Sequence, residues 1–163
     1  MNRVGQPGWS HAGANLLSFQ TMNADRIPLA STFSWPVRVY WEDTDAGGVV
    51  YYANYLKFLE RARTEWLSHL GLEQDQLVRE AGVVFVVRRV EADYLSPARF
   101  NDRLVVCCEL AELGNASLAM VQRVLRGESL LLQARVKVAC VDSTNFRPVR
   151  MPALVRQAFG VVT

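Results

Sequence analysis

Three acidic side chains, Glu42, Asp43 and Asp45, stand within four residues in the segment YWEDTDAGGVVYYANY, Tyr40 to Tyr55, and a glycine pair, Gly47-Gly48, follows at once. Like charges this close disfavour simultaneous ionisation, which suits one of them to act as a base or nucleophile. In an extended backbone Asp43 and Asp45 would share one face and Glu42 would point away. The glycines remove side chains where a backbone must approach another group closely. The helix predicted to follow offers unpaired N–H groups and a positive dipole end to a developing oxyanion. Each feature has a plainer reading by itself: an acidic turn favoured by the helix dipole, a tight glycine turn, or Asn54 as an N-cap. Together they describe a carboxylate facing a cluster of donors, which is a hydrolytic layout.

Other chemistries are excluded by what is missing. The chain has no G-x-S-x-G, GxGxxG, P-loop, HExxH or C-x-x-C pattern. Of its two histidines, His11 lies near the N-terminus and His69 near the end of the predicted helix, so neither is placed beside a nucleophile as a triad requires. The three cysteines, two of them adjacent as Cys107-Cys108, have no metal-ligand or disulfide-framework spacing and read as reduced strand residues. No metal and no cofactor are expected. A net charge of +2, with basic residues scattered among acids, gives no footprint for nucleic acid. No apolar run approaches the roughly 18 residues of a membrane span, and the first thirty residues lack the pattern of a secretory signal. A cytoplasmic protein is the expectation.

The elements that must position the acidic segment follow from periodicity. Residues 1–31, rich in Gly, Ser, Asn and Ala, read as a flexible N-terminal extension, and 32–163 as a single domain. Phe33 to Trp41 alternates like a strand, with Pro36 where an edge tolerates a lost donor. Tyr52, Tyr55, Leu56, Leu59, Ala62, Trp66, Leu67 and Leu70 recur at helical spacing and predict a helix of about five turns ended by Gly71. A second short helical stretch, Glu73 to Glu80, stops at Gly82. Val83 to Tyr94, Arg103 to Leu113, Ser117 to Leu125 and Leu130 to Val141 read as strands broken by turn residues, and four in succession imply an antiparallel meander. A terminal helix beginning near Pro152 reaches Phe159. One strand, one long helix and a run of strands is an α+β order, in which an antiparallel sheet can wrap a single central helix.

The acidic segment resembles the signature of the hotdog-fold acyl-CoA thioesterases, in particular the bacterial YbgC group and, more distantly, the 4-hydroxybenzoyl-CoA thioesterases. The likeness extends through Trp35-Pro36-Val37-Arg38-Val39-Tyr40, Glu60-Arg61-Ala62-Arg63-Thr64-Glu65, Phe85-Val86-Val87-Arg88, Ser96-Pro97-Ala98-Arg99 and Cys140-Val141-Asp142. The resemblance implies a hotdog fold, a homo-oligomer (dimer or tetramer), and hydrolysis of an acyl-CoA substrate with the second aspartate of the D-x-D motif, Asp45, as nucleophile or general base. It also implies that the main-chain N–H of Tyr52 polarises the thioester carbonyl, while Gly47 and Gly48 permit close approach. YbgC-like members usually carry His where Tyr52 stands and Tyr where Trp41 stands. Trp41 becomes a candidate wall of the acyl pocket, and Arg88 a candidate contact for the coenzyme A phosphates. The rival reading is a weakly catalytic or non-catalytic acyl-binding scaffold that docks on acyl carrier protein or on envelope machinery such as the Tol-Pal system.

Overall fold

The structure, a computed structural model, describes residues 32–160, so the expected N-terminal extension lies outside the described residues. Its frame is a five-stranded antiparallel sheet: β1 (Phe33–Arg38), β2 (Val83–Tyr94), β3 (Arg103–Leu113), β4 (Ser117–Arg126) and β5 (Ser129–Asp142). The long helix α1 (Asn54–His69) lies against it. A three-residue helix α2 (Gln74–Gln76) runs into a π turn at Leu77–Ala81, and α3 (Ala153–Ala158) closes the described chain.

Period-two burial explains the sheet's inner face. Leu104, Val106, Cys108 and Leu110 of β3, Met120, Gln122 and Val124 of β4, and Leu132, Ala134, Val136, Val138 and Cys140 of β5 form the alternating inner set, while Ala119, Leu131 and Val141 on the other parity are buried as well. Helical spacing explains the layer above it: Tyr55, Phe58, Leu59, Ala62 and Trp66 form one buried stripe of α1 against this face. Fully burying a side chain such as Phe58 or Leu59 stabilises the fold by about 1.5–3 kcal/mol each, before the entropy of ordering is set against it. A single helix embraced by an antiparallel sheet is the hotdog arrangement expected from the sequence.

Strand neighbours differ from the expected four-strand meander. The order is β1-β3-β4-β5-β2, so β3, β4 and β5 form the meander while β2 pairs with β5 at the far edge. The connections give the reason. Gly114-Asn115 and Gly127-Glu128 lie in short turns that keep successive strands adjacent, whereas residues 95–102 between β2 and β3 form a longer link that crosses the N-terminal end of α1. β1 sits at the opposite edge, where Pro36 faces Val105 on one side only, so its missing donor disturbs one ladder at most.

The crossing link is fixed by Asp102. Its carboxylate accepts the Arg99 N–H at 2.8 Å and pairs with Arg126 at 2.8 Å. Burial pushes this carboxyl up, but the Arg99 N–H and the Arg126 guanidinium outweigh it and hold it below its ordinary value of 3.8. A carboxyl depressed on folding contributes stability that is present above its unfolded pKa and is lost as pH falls through the folded value. Asp102→Asn is therefore expected to lower the urea midpoint at pH 7, with the difference from wild type closing as pH drops below about 4. Equal midpoints at pH 7 would remove this pair from the stability of the link.

The cysteines are free, as expected. Burial raises the Cys108 thiol to about 11, against the pull of the Gln122 hydrogen bond and of Arg63, so it is a neutral core group and not a nucleophile.

Candidate active site

The acidic segment is a folded loop between β1 and α1, and it does not continue β1. Trp41–Asp43 form a turn of 3-10 helix, closed because the Asp43 carboxylate accepts the Tyr40 N–H at 2.8 Å. That turn separates the acids that an extended backbone would have placed together. Asp43 is 3% exposed and works as a structural acceptor, while Glu42 and Asp45 face solvent. Its backbone carbonyl binds the loop back on itself, accepting the Tyr51 N–H at 2.9 Å and the Asn54 side-chain amide at 3.0 Å. Asn54 thus clamps the loop from inside the first helical turn. The N-cap position belongs to Ala53, which supplies no side-chain cap.

Between these clamps a bridge pairs Thr44 with Val50, and the Asp45 N–H donates to the Val49 carbonyl at 2.9 Å. At the tip the Asp45 carboxylate accepts the Gly47 N–H at 2.8 Å, and the Gly48 N–H donates to the Asp45 carbonyl at 3.0 Å. Both glycines are required by geometry. A Cβ on Gly47 would lie 3.0 Å from Asp45 Oδ1, and Gly48 has φ +73°, which L side chains rarely adopt. Asp45, Gly47 and Gly48 are brought together in one turn, with the carboxylate exposed.

Tyr52 lies two residues before α1 with its ring exposed, and its N–H has no acceptor among the described residues. A tyrosine cluster surrounds it. The Tyr51 ring lies 4.7 Å from that of Tyr52, Tyr94 meets Tyr52 edge-on at 6.3 Å, and the Tyr94 hydroxyl donates to the Tyr52 carbonyl at 3.0 Å. The hydrogen bond with Tyr52 is the first cause holding the Tyr51 phenol above its usual pKa, followed by the charge of Tyr52, burial and the charge of Asp45. Trp41 stacks on Phe100 with centroids 4.0 Å apart and the planes 15° from parallel, and it remains 71% exposed, which excludes a core position within this chain.

Arg88 is not part of this cluster. It sits at the irregularity between Val87 and Arg89 in β2, six residues and roughly 20 Å along the strand from Tyr94.

Two supports escaped sequence reasoning. The Tyr55 hydroxyl, buried against the link, accepts the Ala98 N–H at 2.8 Å, and the Ala98 carbonyl accepts the Val50 N–H at 2.9 Å, so α1, the link and the loop are tied in series. Helical spacing marks Tyr55 as buried, but nothing in the sequence says what its hydroxyl meets. Tyr55→Phe leaves the Ala98 N–H buried without a partner and is expected to cost about 1–3 kcal/mol in urea denaturation. A change below about 0.3 kcal/mol would show that another acceptor takes its place.

Comparison with known proteins shows the family and the fold. The profile of the thioesterase-like superfamily matches residues 39–159. The acyl-CoA thioesterase YbgC of Haemophilus influenzae is 48% identical over 131 residues, which span 80% of this chain and 96% of the relative. A probable thioesterase from Bartonella henselae superposes with a TM-score of 0.71 at 35% identity, covering 75% of this chain and all of the other. A 1,4-dihydroxy-2-naphthoyl-CoA thioesterase from Synechocystis, at 24% identity, shares the fold with a TM-score of 0.73 over 80% of this chain and 96% of its own. A fold in which one sheet wraps α1, an acidic glycine loop at the start of that helix, and a relative nearly half identical along almost its whole length agree: the chain belongs to the thioesterase-like superfamily, as one of its YbgC acyl-CoA thioesterases.

Proposed function

We propose that this chain hydrolyses the thioester bond of an acyl-CoA to a free acid and coenzyme A, with Asp45 as nucleophile or general base and the Tyr52 N–H as oxyanion donor. The observation that carries the reading is the exposed Asp45 carboxylate, held by the Gly47 N–H in the same clamped loop that carries the Tyr52 N–H, which has no acceptor among the described residues. Water supplies the hydroxyl of the acid. Asp45 either takes the proton of that water or first adds to the carbonyl and is then released by water. In both routes the C–S bond breaks, the sulfur leaves as thiolate, and one proton is finally available to it. A main-chain donor fixed by the surrounding fold needs no reorganisation as charge develops on the carbonyl oxygen, which is where such donors contribute most. Because the donor is backbone, the side chain at position 52 is free to differ from the usual His.

In this reading Gly47 and Gly48 keep the approach to Asp45 open, and Trp41, exposed on its Phe100 support, walls the acyl group. The phosphates of coenzyme A lie at the far end of a long arm, so Arg88 suits them in spite of its distance from the loop. The active form is a homo-oligomer, a dimer or a tetramer, with β2 as the joining edge. That edge pairs with β5 on one side only and exposes Val87 and Val90. We assign the enzyme to the cytoplasm. No described helix is long and apolar enough to cross a membrane. In the same reading acyl carrier protein is the alternative acyl donor, and the Tol-Pal envelope system the setting.

The test is thiol release from a panel of acyl-CoAs of graded chain length with one aromatic thioester, wild type beside Asp45→Asn. Turnover on any member that disappears in the variant supports the assignment and names the acyl class. Silence across the panel would turn the reading to acyl carrier protein thioesters or to an acyl-binding scaffold.

A further inference from the structure

The Tyr52 N–H belongs to the peptide unit between Tyr51 and Tyr52, and its direction depends on what holds the carbonyls on either side of it. The Tyr51 carbonyl, in the same peptide plane, accepts the Asn54 N–H at 2.8 Å. The Tyr52 carbonyl is held differently. It lies ahead of α1 and accepts no backbone N–H among the described residues. Its partner comes from the sheet: the Tyr94 hydroxyl donates to it at 3.0 Å. A planar peptide leaves only φ and ψ to rotate, so with one carbonyl held in front and the next held behind, the Tyr52 N–H cannot swing without breaking one of the two bonds.

Tyr94 is itself well fixed. Its backbone pairs with Leu132 in the β2–β5 ladder, and just beyond it the Leu95 and Ser96 N–H groups both donate to the Leu131 carbonyl, at 2.9 and 3.1 Å. Its ring stands edge-on to those of Tyr52 and Tyr55, with centroids 6.3 and 5.7 Å away. Burial and then the charge of Tyr52 keep the Tyr94 phenol above its ordinary value of 10.0, so at neutral pH the hydroxyl carries the proton it donates.

We infer that Tyr94 is a positioning residue for thioester hydrolysis: its hydroxyl, carried at the end of β2, aims the Tyr52 N–H at the carbonyl oxygen of the substrate. The assignment rests on the reading of that N–H as the oxyanion donor. Tyr55 and Ala98 fix the base of the loop from the helix side, and Tyr94 fixes its donor from the sheet side. An oxyanion donor contributes through being held in place before charge develops. Without the hydroxyl the N–H is still present but no longer aimed, so the loss falls on the transition state and leaves ground-state binding nearly untouched.

The experiment is Tyr94→Phe in the full chain, assayed by thiol release from hexanoyl-CoA and benzoyl-CoA. The ring stays and the lost bond is an exposed one, so Tm should remain within about 3 °C of wild type. On whichever thioester wild type turns over, kcat should fall about tenfold, the scale of one hydrogen bond, with KM within about twofold. Infrared spectra of the same thioesters, labelled with carbon-13 at the carbonyl and bound to Asp45→Asn, read the donor directly. The carbonyl band should lie below that of the free thioester, and adding Tyr94→Phe should return it toward the free position. An unshifted band in Asp45→Asn, or a wild type silent on both thioesters, would overturn the donor reading and this assignment with it. A shifted band that Tyr94→Phe leaves in place, an unchanged kcat, or a loss confined to KM would overturn the role of Tyr94 alone.

Discussion

Asp45→Asn is expected to lower kcat at least about a hundredfold while leaving the fold intact, because catalysis and structure ask different things of this side chain. Structurally, Asp45 is exposed and its side chain accepts one hydrogen bond, from the Gly47 N–H. An asparagine Oδ1 accepts that bond equally well, so the loop should keep its shape and the unfolding free energy should stay within about 0.5 kcal/mol. Chemically, the amide neither takes a proton from water nor attacks a carbonyl. A hundredfold loss corresponds to about 2.7 kcal/mol of transition-state stabilisation. Thiol release at saturating acyl-CoA, with circular dichroism melting as control, separates the two. Near-normal turnover would remove Asp45 from the chemistry and leave Glu42 as the next exposed acid, since Asp43 is buried and committed to the Tyr40 N–H.

The contrast between Asp43 and Asp45 shows what the sequence could and could not disclose. Turn residues and period-two alternation locate β2 to β5 to within a residue or so, because Gly127-Glu128 and Gly114-Asn115 interrupt largely apolar runs, whereas the first strand, expected to reach Trp41, ends at Arg38 where the chain turns into the 3-10 loop. The glycine pair and the acids likewise mark the loop. What stays hidden is whatever depends on a partner distant in sequence. Asp43 turns inward because a 3-10 turn points it at Tyr40, and no local pattern announces that choice. β2 goes to the far edge because the link over 95–102 crosses the sheet end instead of turning back, and strand order is not written in strand periodicity. Tyr55 reads as one more apolar position in a helical stripe, yet its hydroxyl joins helix to link.

That joint carries the second large effect, expected for Phe58→Ala. Phe58 is fully buried on α1 and meets the Tyr55 ring edge-on, with centroids 5.9 Å apart. Truncation removes most of a buried ring from a close-packed core, and such changes cost about 3–5 kcal/mol, a large fraction of the roughly 5–15 kcal/mol that holds a domain folded. Denaturant titration should show the midpoint falling with the slope unchanged. The cavity would also open beside Tyr55, whose hydroxyl holds Ala98 and, through Ala98, the Val50 N–H at the base of the acidic loop. Turnover per folded molecule should therefore fall too, although Phe58 touches no reacting atom. Phe58→Leu, which keeps most of the volume, should lose less stability and recover most of the rate, typically within about 1.5 kcal/mol of wild type. If Phe58→Ala costs under about 1 kcal/mol and folded molecules keep full turnover, the helix relaxes around the gap and the chain of contacts from α1 to the loop does not set the geometry of Asp45.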